Sequence, residues 1–170
     1  VHHNTNQMFV RVDENDDKVL RCNVKNIKLD KYKIIVISDY CKGFLLEEDI
    51  KYICENHDCV FLDTKKILGD WCVSAKFIKI NYTEYNKTKN YLPDGIESKM
   101  IVTLGPKGCR YKDKIYPVSK VDIKDVSGAG DTFLSGLVVK YLETLDIEES
   151  ILHANECATV AVQKKGVTVI

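Results

Sequence analysis

An α/β fold on a mostly parallel sheet is the class this sequence of 170 residues predicts, and three observations predict it. First, four short, β-branched apolar runs recur: IIVI (34–37), VFL (60–62), FIKI (77–80) and MIVTL (100–104). Strands covered on both faces read as such unbroken runs rather than as alternating patterns. Second, LLEEDIKYICEN, between the first two runs, sets Leu46, Ile50, Ile53 and Cys54 on one helical face. Parallel neighbours need a crossover of that kind. Third, each run ends on groups that can reach out of a sheet: Ser38 and Asp39, then Asp63, then Asn81, then Thr103.

The remaining elements follow in order. The chain begins at Val1, and MFVRVD, ENDD and KVLRC read as strand, turn and strand, the opening of the later part of a longer domain. After residue 104 come GPKG (105–108) and a hairpin turning at Lys112 and Asp113. Two closing helices end the chain. One buries Phe133, Leu137 and Tyr141; the other starts at about Ser150 and carries Ile151, Ala154, Ala158 and Val162 on one face. No repeat, low-complexity tract or linker divides the chain, so one domain over 1–170 is expected.

Composition narrows the classes. With 45% hydrophobic and 29% charged residues the chain can bury a real core, and 25 basic against 25 acidic residues leave no net field toward nucleic acid or an anionic membrane. Seven scattered cysteines, an odd number without a C-x-x-C pair, read as buried thiols of a reducing cytoplasm. No run approaches the length that spans a bilayer.

In open α/β sheets ligands bind beyond the carboxyl ends of the strands. Asp39, Asp63, Asn81 and Thr103, with Lys42 and Lys65 just past two strand ends, are therefore candidates for one shared site. The same residue types also cap helices and form turns, and lysines cover surfaces; Asn81 and Glu84 in particular fit a capping box.

The stretch DVSGAGDTFLSG (125–136) is chemically the richest. It is not a P-loop, because no Lys follows a glycine at that spacing, and Phe133 stands where a dinucleotide fingerprint wants its third glycine. What it offers is a turn whose amides at Gly128, Ala129 and Gly130 open an apolar helix, an arrangement suited to an anion. Asp131 falls in the first turn, where the helix dipole keeps a carboxylate ionised and able to accept a hydroxyl proton. A tight turn followed by a dipole-matching acid accounts for the same residues, so both readings stand.

Read in full, D-V-S-G-A-G-D-T (125–132) resembles the signature of the ribokinase-like sugar kinases, the PfkB family. Other marks coincide in order. Asn81-Tyr82-Thr83-Glu84 is similar to the family's N-x-x-E motif, and Thr103 to Gly108 resembles its T-x-G-x-x-G nucleotide turn. The late helix with Ala154 and Asn155, followed by Gln163-Lys164-Lys165-Gly166, resembles the one that closes over adenine. Ser38-Asp39-Tyr40-Cys41-Lys42-Gly43, Leu62-Asp63-Thr64-Lys65-Lys66, and Asn6-Gln7 with Arg11-Val12-Asp13 are similar to segments of the heptose 7-phosphate kinases. Thr64 stands where Pro is common.

The resemblance implies a ribokinase-like three-layer α/β/α sandwich, here its C-terminal portion, with the sugar-binding and lid region largely absent. It implies ATP and Mg²⁺, and transfer of a phosphoryl group to a sugar or sugar phosphate. In that scheme Asp131 is the base, and Gly128, Ala129 and Gly130 form the anion hole. Thr103, Gly105, Gly108 and Asn155 meet the nucleotide, and Asn81 and Glu84 hold Mg²⁺ through water. Asp39, Lys42, Asp63 and Lys65 face substrate or phosphate. Other sugar kinases of the family, and a non-catalytic nucleotide-binding module, remain alternatives. An exposed sheet edge would favour self-association into a homo-oligomer.

Overall fold

The computed structural model describes residue 14 and residues 20–166. The N-terminal hairpin and the Asn6–Asp13 resemblance lie outside the described residues. The described residues divide into two compact units, one within 20–116 and one within 117–166.

The first unit is a six-stranded sheet in sequential order. Strands β1 (Ile35–Asp39), β2 (Val60–Thr64), β3 (Phe77–Asn81) and β4 (Met100–Thr103) are parallel, as the apolar runs predict. A hairpin, β5 (Cys109–Tyr111) and β6 (Lys114–Tyr116), adds two antiparallel strands. Its two-residue turn is the expected Lys112-Asp113, with Lys112 at φ 51°. Helix α1 (Glu47–Glu55) links β1 to β2, and the short α2 (Tyr82–Thr88) follows β3 directly.

Alternation along each strand sorts the side chains. Ile37, Val60, Leu62, Ile78, Ile80 and Val102 share one core cluster with Ile50, Ile53 and Cys54 of α1. Leu46 departs from the expected face: it is the N-cap residue of α1 and is exposed, whereas Asp49 is buried. The acid is there because its carboxylate accepts the Leu46 amide at 2.9 Å and binds the Arg21 guanidinium through both oxygens, at 2.8 and 3.0 Å. That bidentate pair holds the Asp49 carboxyl well below the usual carboxylate range. On the opposite side of the sheet Phe61, Phe77 and Tyr111 form an aromatic row, with ring centroids 5.2 and 6.3 Å apart.

The second unit carries α3 (Ala129–Thr144) and α4 (Ile147–Val162), packed on each other. Phe133, Leu137 and Tyr141 are buried on α3 as expected, and Ile151 and Ala154 on α4. Ala158 and Val162 are half-buried, and α4 begins three residues earlier than the sequence reading places it. Asp146 sets that start, its carboxylate accepting the amides of Glu148 and Glu149 at 2.8 and 3.1 Å. At Gly136 the two helices are in close contact, and a Cβ there would lie 3.0 Å from Cys157 Sγ.

All seven cysteines stand as thiols. The expectation that they are buried holds for Cys54, Cys72 and Cys109; Cys41 is exposed and the other three are half-buried. No helix among the described residues is long and apolar enough to cross a membrane.

Candidate functional site

Because β1 to β4 are parallel, their carboxyl ends meet one edge of the first unit. Register aligns the candidates there: Ser38 lies beside Asp63, Asp63 beside Lys79, and Asn81 beside Thr103. Asn81 ends β3 and caps α2. Its Oδ1 accepts the Glu84 amide at 2.9 Å, and Glu84 Oε2 accepts the Asn81 amide at 2.7 Å. This reciprocal pair is a complete capping box and fixes both side chains. The remaining Glu84 oxygen, Oε1, is 3.4 Å from Lys65 Nζ. Lys65 also places that ammonium 4.9 Å from the centre of the Tyr40 ring.

Asp63 and Lys79 form a second pair, 2.7 Å apart, with little exposure on either side chain. Burial pushes the Asp63 carboxyl above its ordinary range, and Lys79 opposes that shift. A lysine inside an apolar strand is costly unless an anion faces it, and the sheet register supplies one.

Asp39 is more enclosed still, at 7% exposure. Its Oδ2 accepts from the Thr64 hydroxyl at 2.8 Å and from Lys66, and its Oδ1 accepts the Cys41 amide at 3.1 Å. Lys66 Nζ also donates to the Leu45 carbonyl at 3.0 Å. The Thr64 hydroxyl is thus a donor to Asp39 that a proline at this position would lack. Asp39 is therefore a hub ordering the loop 40–45, which turns through Cys41 at φ 60° and Gly43 at φ 88°. Both its oxygens are engaged within the protein, and Lys42 sits half-buried on the same loop.

Beyond β4 the Thr103–Gly108 turn is built from backbone. Leu104 N–H donates to the Gly108 carbonyl at 2.7 Å, and Gly108 N–H to the Gly105 carbonyl at 3.0 Å. Gly105 and Gly108 have φ of 59° and 86°, a region that residues with a Cβ adopt at a cost. Thr103 is half-buried and directs its hydroxyl toward the Ile80 carbonyl, 3.5 Å away.

In the second unit, the glycine turn opens α3 as expected, with Gly128 as N-cap at φ 75°. The Ala129 amide donates to the Val126 carbonyl at 3.2 Å, within the turn. Asp131 is exposed in the first turn of α3 rather than packed in the interior. Asn155 is buried on α4, at 6% exposure.

Asp125 is a residue the sequence reading leaves without a role. One oxygen accepts the Ser127 amide at 2.8 Å and the other the Gly166 amide at 3.1 Å. These amides hold its carboxyl below the usual range. The amides of Lys124 and Asp125 in turn donate to the Val162 carbonyl at 2.8 and 3.2 Å. Asp125 therefore moors the glycine turn to the end of α4. Its one signal in the sequence is its place at the head of the DVSGAGD segment.

Among the described residues no three His, Cys, Asp or Glu side chains cluster as metal ligands. Asn81 Oδ1 and Glu84 Oε2 each accept an amide in the capping box, which leaves Glu84 Oε1 as the oxygen not engaged by backbone. Glu84 Oε1 fits a hydrated cation, and Mg²⁺ characteristically keeps several of its waters.

The chain matches the pfkB family carbohydrate kinases over residues 3–170. It is 28% identical over 188 residues to the bifunctional protein HldE of a Nitratiruptor species, covering 95% of this chain and 40% of the relative. It is 34% identical over 122 residues to fructokinase-2 of Zea mays, covering 59% of this chain and 36% of that one. Among solved structures, ribokinase from Thermotoga maritima superposes with a TM-score of 0.66 at 18% identity, over 85% of this chain and 56% of its own. Arabidopsis thaliana ribokinase complexed with ribose and ATP gives 0.67 at 18% identity, over 82% and 52%. These two likenesses establish the ribokinase-like fold. The chain spans about 40% of the length of HldE relatives matched along 95% of it. With the motifs in order on such a fold and the match extending over nearly its whole length, the chain belongs to the pfkB family of carbohydrate kinases.

Proposed function

We propose that this chain provides the nucleotide side and the base of an ATP-dependent kinase acting on a sugar or sugar phosphate, of the heptose 7-phosphate type. The observation that carries the reading is the opening of α3, where Gly128 turns the backbone through the left-handed region and Asp131 stands exposed one turn in. The Asp131 carboxylate takes the proton of the acceptor hydroxyl as its oxygen bonds to the γ-phosphorus. The bond from that phosphorus to the bridging oxygen breaks, ADP leaves, and the proton passes from Asp131 to solvent. The Gly128 and Gly130 amides, with the helix start behind them, oppose charge on the transferring group. Thr103, Gly105 and Gly108 form the nucleotide turn, and Lys42 and Lys65 offer positive charge to phosphate. Asp39 and Asp63 hold the sheet edge in shape through Lys66 and Lys79. Glu84 holds the hydrated Mg²⁺, which when bound neutralises phosphate charge.

The heptose preference rests on the HldE likeness and on the segments Ser38–Gly43 and Leu62–Lys66. A second reading is favoured by the chain's 40% coverage of that relative: a piece that binds nucleotide and transfers nothing by itself.

The test is calorimetric titration with Mg·ATP, followed by an ADP-release assay with heptose 7-phosphate. Sugar-stimulated ADP release, lowered about 100-fold or more in Asp131→Asn with ATP affinity retained, is the expected result. Undiminished turnover in that variant removes Asp131 as the base. ATP binding without turnover assigns the second reading, and failure to bind ATP overturns both.

A further inference from the structure

The sequence reading turns Lys65 toward phosphate, yet its ammonium lies against the one Glu84 oxygen that the capping box leaves available. The surroundings make that placement consequential. Glu84 and Lys65 adjoin the Asp63–Lys79 pair closely enough for Asp63 to feel both charges. These two carboxylates and two ammoniums sum to a formal charge of zero. A divalent cation arriving at Glu84 therefore meets a site already neutralised, unless one ammonium departs.

Only one of the two can depart easily. Lys79 is enclosed on β3 with 7% side-chain exposure, whereas Lys65 is 49% exposed. The Glu84 side chain is itself only 13% exposed, so the space at Oε1 does not freely admit both an ammonium and a hydrated cation. Lys65 also has somewhere to go, since the Tyr40 face already lies 4.9 Å from its nitrogen. A cation over an aromatic face keeps an attraction after losing its carboxylate.

We propose that Lys65 is a built-in competitor for divalent cations at Glu84: it occupies the carboxylate when no metal is bound, and metal binding displaces it toward Tyr40. This rests on the reading that Glu84 is the carboxylate that holds the hydrated metal. The exchange is noncovalent, and it leaves a mobile ammonium beside the cation when both are in place. Metal binding and exposure of a positive group to an anionic ligand are thereby coupled.

Direct Mn²⁺ titration of the 170-residue chain, with free Mn²⁺ read by electron paramagnetic resonance, tests this without any turnover. Lys65→Met is expected to bind Mn²⁺ about fivefold more tightly than the unaltered chain, the factor for releasing an exposed ion pair. Lys65→Arg, which keeps the charge, is expected to stay near the unaltered value. Glu84→Gln is expected to lose the binding. Unchanged or weaker affinity in Lys65→Met, with Glu84→Gln still deficient, overturns the competition while leaving Glu84 as the metal carboxylate. Equal Mn²⁺ binding by Glu84→Gln and the unaltered chain overturns both readings.

Discussion

The strand ends of the sheet unit and the opening of α3 solve the placement of charge in different ways. At the strand ends each candidate carboxylate already meets a cation of the protein: Asp39 meets Lys66, Asp63 meets Lys79, and Glu84 meets Lys65. At α3 the backbone sets the geometry, through Gly128 in the left-handed region and amides moored by Asp125. The first region is held by long-range charge pairs, so removing one partner strands the other. The second is held by local dihedral preference, so its sensitivity lies in which residue can adopt the turn.

The sharpest way to break this comparison is Asp63→Asn. It leaves the Lys79 ammonium enclosed without its anion, and stranding one member of a buried pair costs about 3–5 kcal/mol. Chemical denaturation should register that loss, and Asp63→Leu combined with Lys79→Met should recover most of it. A cost below about 1 kcal/mol would mean that the pair behaves like an exposed one.

A smaller effect is expected at the glycine turn. Gly128→Ala forces a Cβ into the left-handed region at about 1–2 kcal/mol, with little effect on the sheet unit. Amide hydrogen exchange across 125–135 should quicken while exchange in β2 and β3 stays as it was. Equal quickening in both regions would show that the turn is not locally determined.

The smallest effect is one of pH. Asp125 has its carboxyl lowered by the Ser127 and Gly166 amides, so the stability it contributes is present above the ordinary carboxylate range and is lost as pH falls through its lowered value. Thermal melts at about pH 7 and about pH 3, on either side of the carboxylate range, should therefore differ less in Asp125→Ala than in the unaltered chain. An identical acid response in both would remove Asp125 as the mooring group.

Legibility in the sequence follows the range of the interaction. The four parallel strands, the Lys112-Asp113 hairpin and the Asn81–Glu84 box are readable because their determinants lie within a few residues of one another. Asp146 is equally local, and its carboxylate three positions before Glu149 is the overlooked sign that α4 starts early. Lys79 and Lys66 give no such sign: their partners lie 16 and 27 residues away. In FIKI the lysine reads as an interruption until β2 is laid beside it. Asp125 is visible as a motif letter, but its link to Gly166 spans 41 residues.

By itself the sequence determined the strand periodicity, the caps and the glycine turn, because backbone preference and burial of apolar residues act over short spans of chain. It also carried the order of motifs by which the family could be named. Only the tertiary structure decided which charges neutralise which, that Asp39 is enclosed while Asp131 is exposed, and that Lys65 rests on Glu84. Those outcomes depend on strand register and chain crossing, which bring together charges that no local pattern connects.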